Sequence, residues 1–148
     1  MEVAILGPLL VRDGDRPVEV GGQRLRALLV RLAVDAGRPV SVTAIADALW
    51  GDAPPADRTN AVQSLVSRLR RVLPPAVTID SGPAGYRLDL PPDAVDAARF
   101  ERLAADGRRA LAEGRTEAAA GLLREALDLW RGPALADVAD AGYTTAPA

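Results

Sequence analysis

The chain contains no cysteine, no histidine and no lysine. These three absences remove the Ser-His-Asp and Cys-His nucleophiles, the thiolate or imidazole zinc site, the Schiff-base lysine and the phosphate-loop lysine of nucleotide-binding proteins. No disulfide framework can form. Carboxylate chemistry remains open to an enzyme, as in a glycosidase or a magnesium-dependent phosphatase. The twenty acidic residues, however, are spread along helices and turns. An enzyme is therefore not expected, nor a cofactor, nor a bound metal. No run of about 18 apolar residues could span a bilayer, and the amino terminus, MEVAILGPLL, lacks the basic start and small-residue cleavage site of a signal peptide. A cytoplasmic protein without a membrane partner is expected. All eighteen basic residues are arginine. That reflects a genome rich in G and C, because lysine codons are rich in A and T, and carries no functional weight.

A length of 148 residues allows one ordinary domain or two small ones. Charge is unevenly placed along them. Residues 58–79 hold Arg58, Arg68, Arg70 and Arg71 and no acid, inside a chain of net charge -2. Within this stretch Val62, Leu65, Val66, Leu69, Val72 and Leu73 recur at the spacing that lays an apolar stripe along one helix face. Asn60, Gln63, Ser64, Ser67, Arg68 and Arg71 fall on the other side. Such groups can read bases: arginine forks to guanine O6 and N7, Asn or Gln pairs with adenine N6 and N7, and serine bonds to base or phosphate. Taken alone, the same face reads first as the solvated side of a surface helix, and its neighbours change that weighting.

Upstream, residues 2–6, 9–13 and 17–20 read as short strands with a Gly14-Asp15 turn, implying a small antiparallel sheet. Residues 23–36 keep helical spacing and stop at Gly37. Ser41 caps a second helix of about eight residues with Ile45, Ala46, Leu49 and Trp50 on its apolar side, ended by Gly51. Residues 52–57 form a loop stiffened by Pro54 and Pro55, and Asp57 can accept the first amides of the arginine-bearing helix. That order is a helix-turn-helix. Past Pro74-Pro75, Val77 and Ile79, a turn over residues 81–85, then Tyr86, Leu88 and Leu90 alternate as a β-hairpin, placed as a wing. Gly85 permits close approach. Tyr86 serves equally as a core aromatic or a DNA contact, and Arg87, on the opposite face, is the better contact candidate.

Pro91-Pro92 marks a boundary. Residues 1–91 hold eleven arginines against ten acids, and residues 92–148 seven against ten, so only the first part suits a polyanion. In the second, Phe100, Leu103, Ala104 and Leu111 form one helical face. Gly114 ends that helix, and Ala119, Leu122, Leu123, Ala126, Leu127 and Trp130 form the next. Gly114, Ala119 and Ala126 have the spacing of small residues in a tetratricopeptide unit. One such unit cannot bury its own apolar faces, so residues 142–145 are expected to precede a remainder, and residues 92–148 to be only the start of a larger domain.

The order of sheet, three helices and wing is similar to the winged-helix domain of OmpR-type response regulators. AILGPLLVRDGDRPVEVGGQRLRALLVRLAVDAGRPVS (4–41), ALWGDAPPA (48–56), LVSRLRRVL (65–73), GYRL (85–88) and DLWRGPALADV (128–138) resemble the SARP-type antibiotic regulatory proteins of actinobacteria. SRLRR with LWRGPALADV at this separation is the specific part of the signal. The resemblance implies an α+β fold: an OmpR-like winged helix-turn-helix over 1–91, followed by an all-α, tetratricopeptide-like bacterial transcriptional activation domain over 92–148. It implies a transcriptional activator that binds promoter repeats upstream of biosynthetic gene clusters and recruits RNA polymerase holoenzyme, with a homodimer on DNA left open. Carried over by position, the recognition helix falls on residues 58–73, the wing on 78–90, and the tryptophan that contacts the DNA backbone on Trp50. The expected DNA-binding residues are thus Trp50, Arg58, Asn60, Gln63, Ser64, Ser67, Arg68, Arg71 and Arg87. No receiver domain is expected within this chain, since one residue precedes the first strand. The alternative is a protein-interaction or effector-sensing module whose winged helix is a partner surface; the net negative charge favours it, and the acid-free third helix favours DNA.

Overall fold

Pro8 and Gly14 cut the amino-terminal third into short extended pieces, too short to be stable unless paired. The computed structural model, which describes residues 1–133, pairs them into an antiparallel sheet of β1 (Glu2–Ala4), β2 (Leu10–Asp13) and β3 (Arg16–Pro17) in that order. Val3 stands opposite Val11, and Asp13 opposite Arg16 across the Gly14-Asp15 turn. β1 is shorter than the strand expected over residues 2–6, because Ile5 and Leu6 give their amides to the Asp96 carboxylate rather than to another strand. β3 is also shorter and earlier than expected: the Val18 amide still bonds to the Val11 carbonyl, and the chain then leaves the sheet toward Gly21-Gly22.

Three helices follow, α1 (Gln23–Val34), α2 (Val42–Trp50) and α3 (Arg58–Val72). α1 ends short of Ala36, whose amide bonds back to the Ala33 carbonyl and tightens the last turn. The caps are those expected. Ser41 Oγ accepts the Ala44 amide at 3.0 Å, Gly51 ends α2, and the Asp57 carboxylate accepts the Asn60 amide at 3.1 Å. Each cap satisfies a donor that the first helical turn leaves without an intrahelical partner. α3 stops at Val72 because Leu73 precedes a proline and is pushed to extended geometry, φ −73° and ψ 150°. Leu28, Leu29 and Leu32 of α1, Ile45 of α2, and Val62, Val66 and Leu69 of α3 are almost wholly buried against one another.

The wing is a hairpin of β4 (Ile79–Gly82) and β5 (Gly85–Leu88), joined by Pro83-Ala84. Val40, extended as expected, exchanges both backbone hydrogen bonds with Tyr86 at 2.7 and 2.9 Å, and the Gly37 amide bonds to the Leu88 carbonyl at 3.0 Å.

A short 3-10 turn over Pro92–Ala94 leads into α4 (Asp96–Ala112), which pairs with α5 (Thr116–Asp128) as a helical hairpin. Ala119 and Ala126 are buried at their contact. Gly114 ends α4 as expected, at φ +79°, but has open space around it and takes no part in the helix contact; the packing glycine is Gly107, where a Cβ would crowd the Leu123 side chain at 2.7 Å. The expected apolar faces are only partly covered, since two helices can bury only the stripe they share: Leu103 is buried, while Leu111, Leu127 and Trp130 remain 56%, 65% and 41% exposed. Residues 134–138 of the DLWRGPALADV motif, and the 142–145 segment, lie outside the described residues.

The helical hairpin is fastened to the sheet at several points. Val95 bridges Val3, and the Asp96 carboxylate takes the Ile5 and Leu6 amides. The Arg131 amide bonds to the Leu6 carbonyl at 2.8 Å and its guanidinium to the Pro8 carbonyl at 2.7 Å. Trp130 meets Phe100 edge to face at 5.5 Å.

Candidate nucleic-acid interface

α3 is amphipathic, and its position follows from burying the stripe of Val62, Leu65, Val66 and Leu69 against α1 and α2. The opposite side is thereby forced outward. Arg58, Asn60, Gln63, Ser64, Arg68 and Arg71 are exposed, and Ser67 is half-buried. Arg58, Arg68 and Arg71 make no hydrogen bond or ion pair to any described residue. The outer face therefore carries two uncommitted guanidinium groups, Arg68 and Arg71, beside amide and hydroxyl donors, with Arg58 exposed at the helix start, a combination that can contact phosphates and base edges at once.

The remaining arginines of this region are already engaged. Arg87 lies between Asp80, at 2.5 Å, and Asp89, at 3.5 Å, on the same hairpin. These exposed pairs add little stability, but they occupy the charge expected to face DNA. Arg70 is turned away from Arg68 and Arg71: its Nε and one Nη donate to the Ile79 carbonyl oxygen at 3.1 and 2.5 Å. On the helical wheel, position 70 borders the apolar stripe rather than opposing it, which is the sequence signal that separates it from Arg71. The wing tip, residues 81–84, is exposed and carries no charge.

Trp50, at the end of α2, is half-buried against the core. The Arg24 guanidinium sits 4.9 Å above its ring and donates to the Leu49 carbonyl at 3.3 Å, a stacking geometry favourable for a cation over an indole. The indole N–H donates to no described residue. Arg24 was invisible as a candidate in the sequence because its partner lies on another helix.

Among the described residues, no group of acids could hold a metal ion, and no helix is long and apolar enough to cross a membrane.

Comparison with known proteins adds two family matches. The family described as transcriptional regulatory protein, C terminal, matches residues 16–88, and the bacterial transcriptional activator domain matches residues 95–148. The regulatory protein DnrI of Streptomyces peucetius is 38% identical over 148 residues, covering 93% of this chain and 54% of that protein. The transcriptional regulatory protein EmbR of Mycobacterium tuberculosis is 38% identical over 145 residues, covering 95% and 37%. The transcriptional regulator RedD of Streptomyces coelicolor is 37% identical over 147 residues, covering 95% and 42%. The solved structure of Mycobacterium tuberculosis EmbR in complex with a low affinity phosphopeptide superimposes with a TM-score of 0.87 at 36% identity, over 97% of this chain and 39% of that one. The chain thus spans about half the length of DnrI and less of the others.

Proposed function

Because the chain belongs to the SARP-type regulators, in which an OmpR-like winged helix precedes a bacterial transcriptional activator domain, we propose that it is a sequence-specific DNA-binding transcriptional activator. The observation that carries this reading is the outer face of α3. Arg58, Arg68 and Arg71 have no hydrogen-bond or ion-pair partner among the described residues, although acids outnumber arginines in the chain. In this reading Arg68 and Arg71, with Asn60, Gln63, Ser64 and Ser67, meet base edges and groove walls, and Arg58 meets a phosphate at the start of the helix. The indole N–H of Trp50 donates to the DNA backbone beside Arg24. Arg87 reaches phosphate only by exchanging its carboxylate partners.

Residues 1–91 act as the reader and residues 92–148 begin the activator, which contacts RNA polymerase holoenzyme in the cytoplasm. The sites are promoter repeats of a secondary-metabolite gene cluster, each repeat taking one copy so that two copies can lie side by side. A winged helix that serves as a partner surface is the second reading, and the capture of Arg87 by Asp80 and Asp89 is the observation that favours it.

Footprinting on DNA from the gene's own neighbourhood tests the proposal. Protection of spaced repeats, weakened at least tenfold between about 50 and 200 mM salt, is the expected result. Binding that ignores salt, or no protection, would leave the partner-surface reading.

A further inference from the structure

We infer that Arg70 is a positioning residue, which sets the angle of the wing against the recognition helix and does not itself touch DNA. The inference rests on the DNA-binding reading above.

The argument begins with the alternation of hydrogen bonds across the hairpin. The Asp89 amide bonds to the Thr78 carbonyl, so Thr78 and Asp89 form a hydrogen-bonded pair and the next pair, Ile79 and Leu88, does not bond across the hairpin. The Ile79 carbonyl therefore points outward from the free edge of β4. A carbonyl there needs a donor or water, and Arg70 supplies two N–H groups to that one oxygen. The opposite edge, on β5, is held by main chain: Val40 bonds Tyr86 twice and Gly37 bonds Leu88.

Burial of Ile79 and Leu88, 3% and 0% exposed, fixes where the hairpin starts. The bonds along its two edges fix how it tilts. On the β4 edge the hold reaches straight back to α3, one residue from Arg71, so the recognition helix and the wing form one rigid reading head. A charge-assisted, two-donor bond suits this task because its planar fork limits rotation.

The test separates tether from charge. DNA affinity is measured over a salt series on a duplex selected by the wild-type chain from a random pool, and amide exchange of residues 80–87 is measured in the free protein. Arg70→Ala should speed wing exchange and weaken binding roughly three- to tenfold. Its slope of log affinity against log salt should match the wild type, because residues 81–84 of the wing are uncharged and Arg87 stays paired with Asp80 and Asp89 whether or not the wing is tethered. Arg71→Ala should leave wing exchange unchanged and lower the slope by about one unit. Arg70→Lys, which keeps the charge without the fork and also serves if Arg70→Ala fails to fold, should show faster wing exchange at wild-type slope.

A slope reduced by about one unit in Arg70→Ala would place Arg70 on a phosphate and overturn the inference. Unchanged wing exchange in Arg70→Ala would overturn it as well. So would full recovery of affinity in Arg70→Lys while the wing amides still exchange fast. If the wild-type chain selects no duplex, the DNA-binding reading fails by itself, and the exchange measurement still decides whether Arg70 holds the wing.

Discussion

The Asp96 carboxylate, 2% exposed at the start of α4, accepts the Ile5 amide at 2.7 Å with one oxygen and the Leu6 amide at 3.0 Å with the other. Asp96 and Ile5 are ninety-one positions apart in sequence, so this is one of the points where the carboxy-terminal helices close onto the amino-terminal strand. Ile5 and Leu6 are themselves buried, and water cannot readily replace the acceptor. Asp96→Ala should therefore cost about 2–6 kcal/mol, two stranded amides at about 1–3 kcal/mol each. Asp96→Asn, which keeps one carbonyl, should cost about half as much. Asp93→Ala, one turn earlier and 59% exposed at its side chain, should stay within about 0.5 kcal/mol. Urea unfolding of the three variants checks the order. Equal effects at positions 93 and 96 would mean that the junction is held elsewhere.

The outer face of α3 calls for the opposite pattern, with binding lost and stability kept. Arg68 and Arg71 are exposed and make no hydrogen bond or ion pair to any described residue, and each bidentate base contact is worth about 1–3 kcal/mol. Arg68→Ala and Arg71→Ala should each weaken operator binding at least several-fold, with melting temperatures close to wild type. Arg16→Ala, on β3 at the sheet, should leave operator binding alone. If it costs as much as Arg71→Ala, the interface has been placed on the wrong side of the molecule.

Features set by neighbours in the chain were legible in the sequence, and features set by contacts across the fold were not. Ser41, Gly51 and Asp57 announce the limits of α2 and the start of α3 because capping acts over three or four residues. The stripe of Val62, Leu65, Val66 and Leu69 announces which side of α3 faces out. By contrast, residues 5 and 6 look like continuing strand, since nothing near them in sequence shows that Asp96 will take their amides. The same limit hid the stacking of Arg24 on Trp50 and the capture of Arg87 by Asp80 and Asp89. It also let Arg70 be counted with Arg68 and Arg71, although its position on the wheel already set it apart.

Gly85 offers a sharp stability test at the wing. Its φ is +124°, and a Cβ there would overlap the carbonyl oxygen of Val40, whose backbone pairs with Tyr86. Main chain cannot yield as a side-chain tip can. Gly85→Ala should thus destabilise the fold by more than about 2 kcal/mol, from strain and the lost bridge together. Gly82→Ala, three residues away, meets nothing within 4 Å and should be nearly neutral. Thermal melts of the two variants distinguish a wing that must lie against Val40 from one that can swing clear.

DNA binding and activation should prove separable, with a stability cost that the junction explains. A fragment of residues 1–91 keeps the buried residues of α1, α2 and α3 and the whole wing, but it lacks Val95 and Asp96. Its Ile5 and Leu6 amides lose their acceptor, and the Val95 bridge to Val3 and the Arg131 bonds to Leu6 and Pro8 go as well, so it should unfold at lower urea than the full chain, by a margin larger than that of Asp96→Ala. Below that midpoint the α3 face is intact, and the fragment should bind the operator with the same salt dependence. It should nevertheless fail in a reconstituted transcription assay that the full chain supports, because the acidic helices from Asp96 onward are the part left without a DNA-suited face. Full-length Asp96→Ala is the control: less stable than the wild type but still carrying those helices, it should activate wherever it is folded. A fragment that activates as well as the full chain would assign α4 and α5 to regulation or self-association instead.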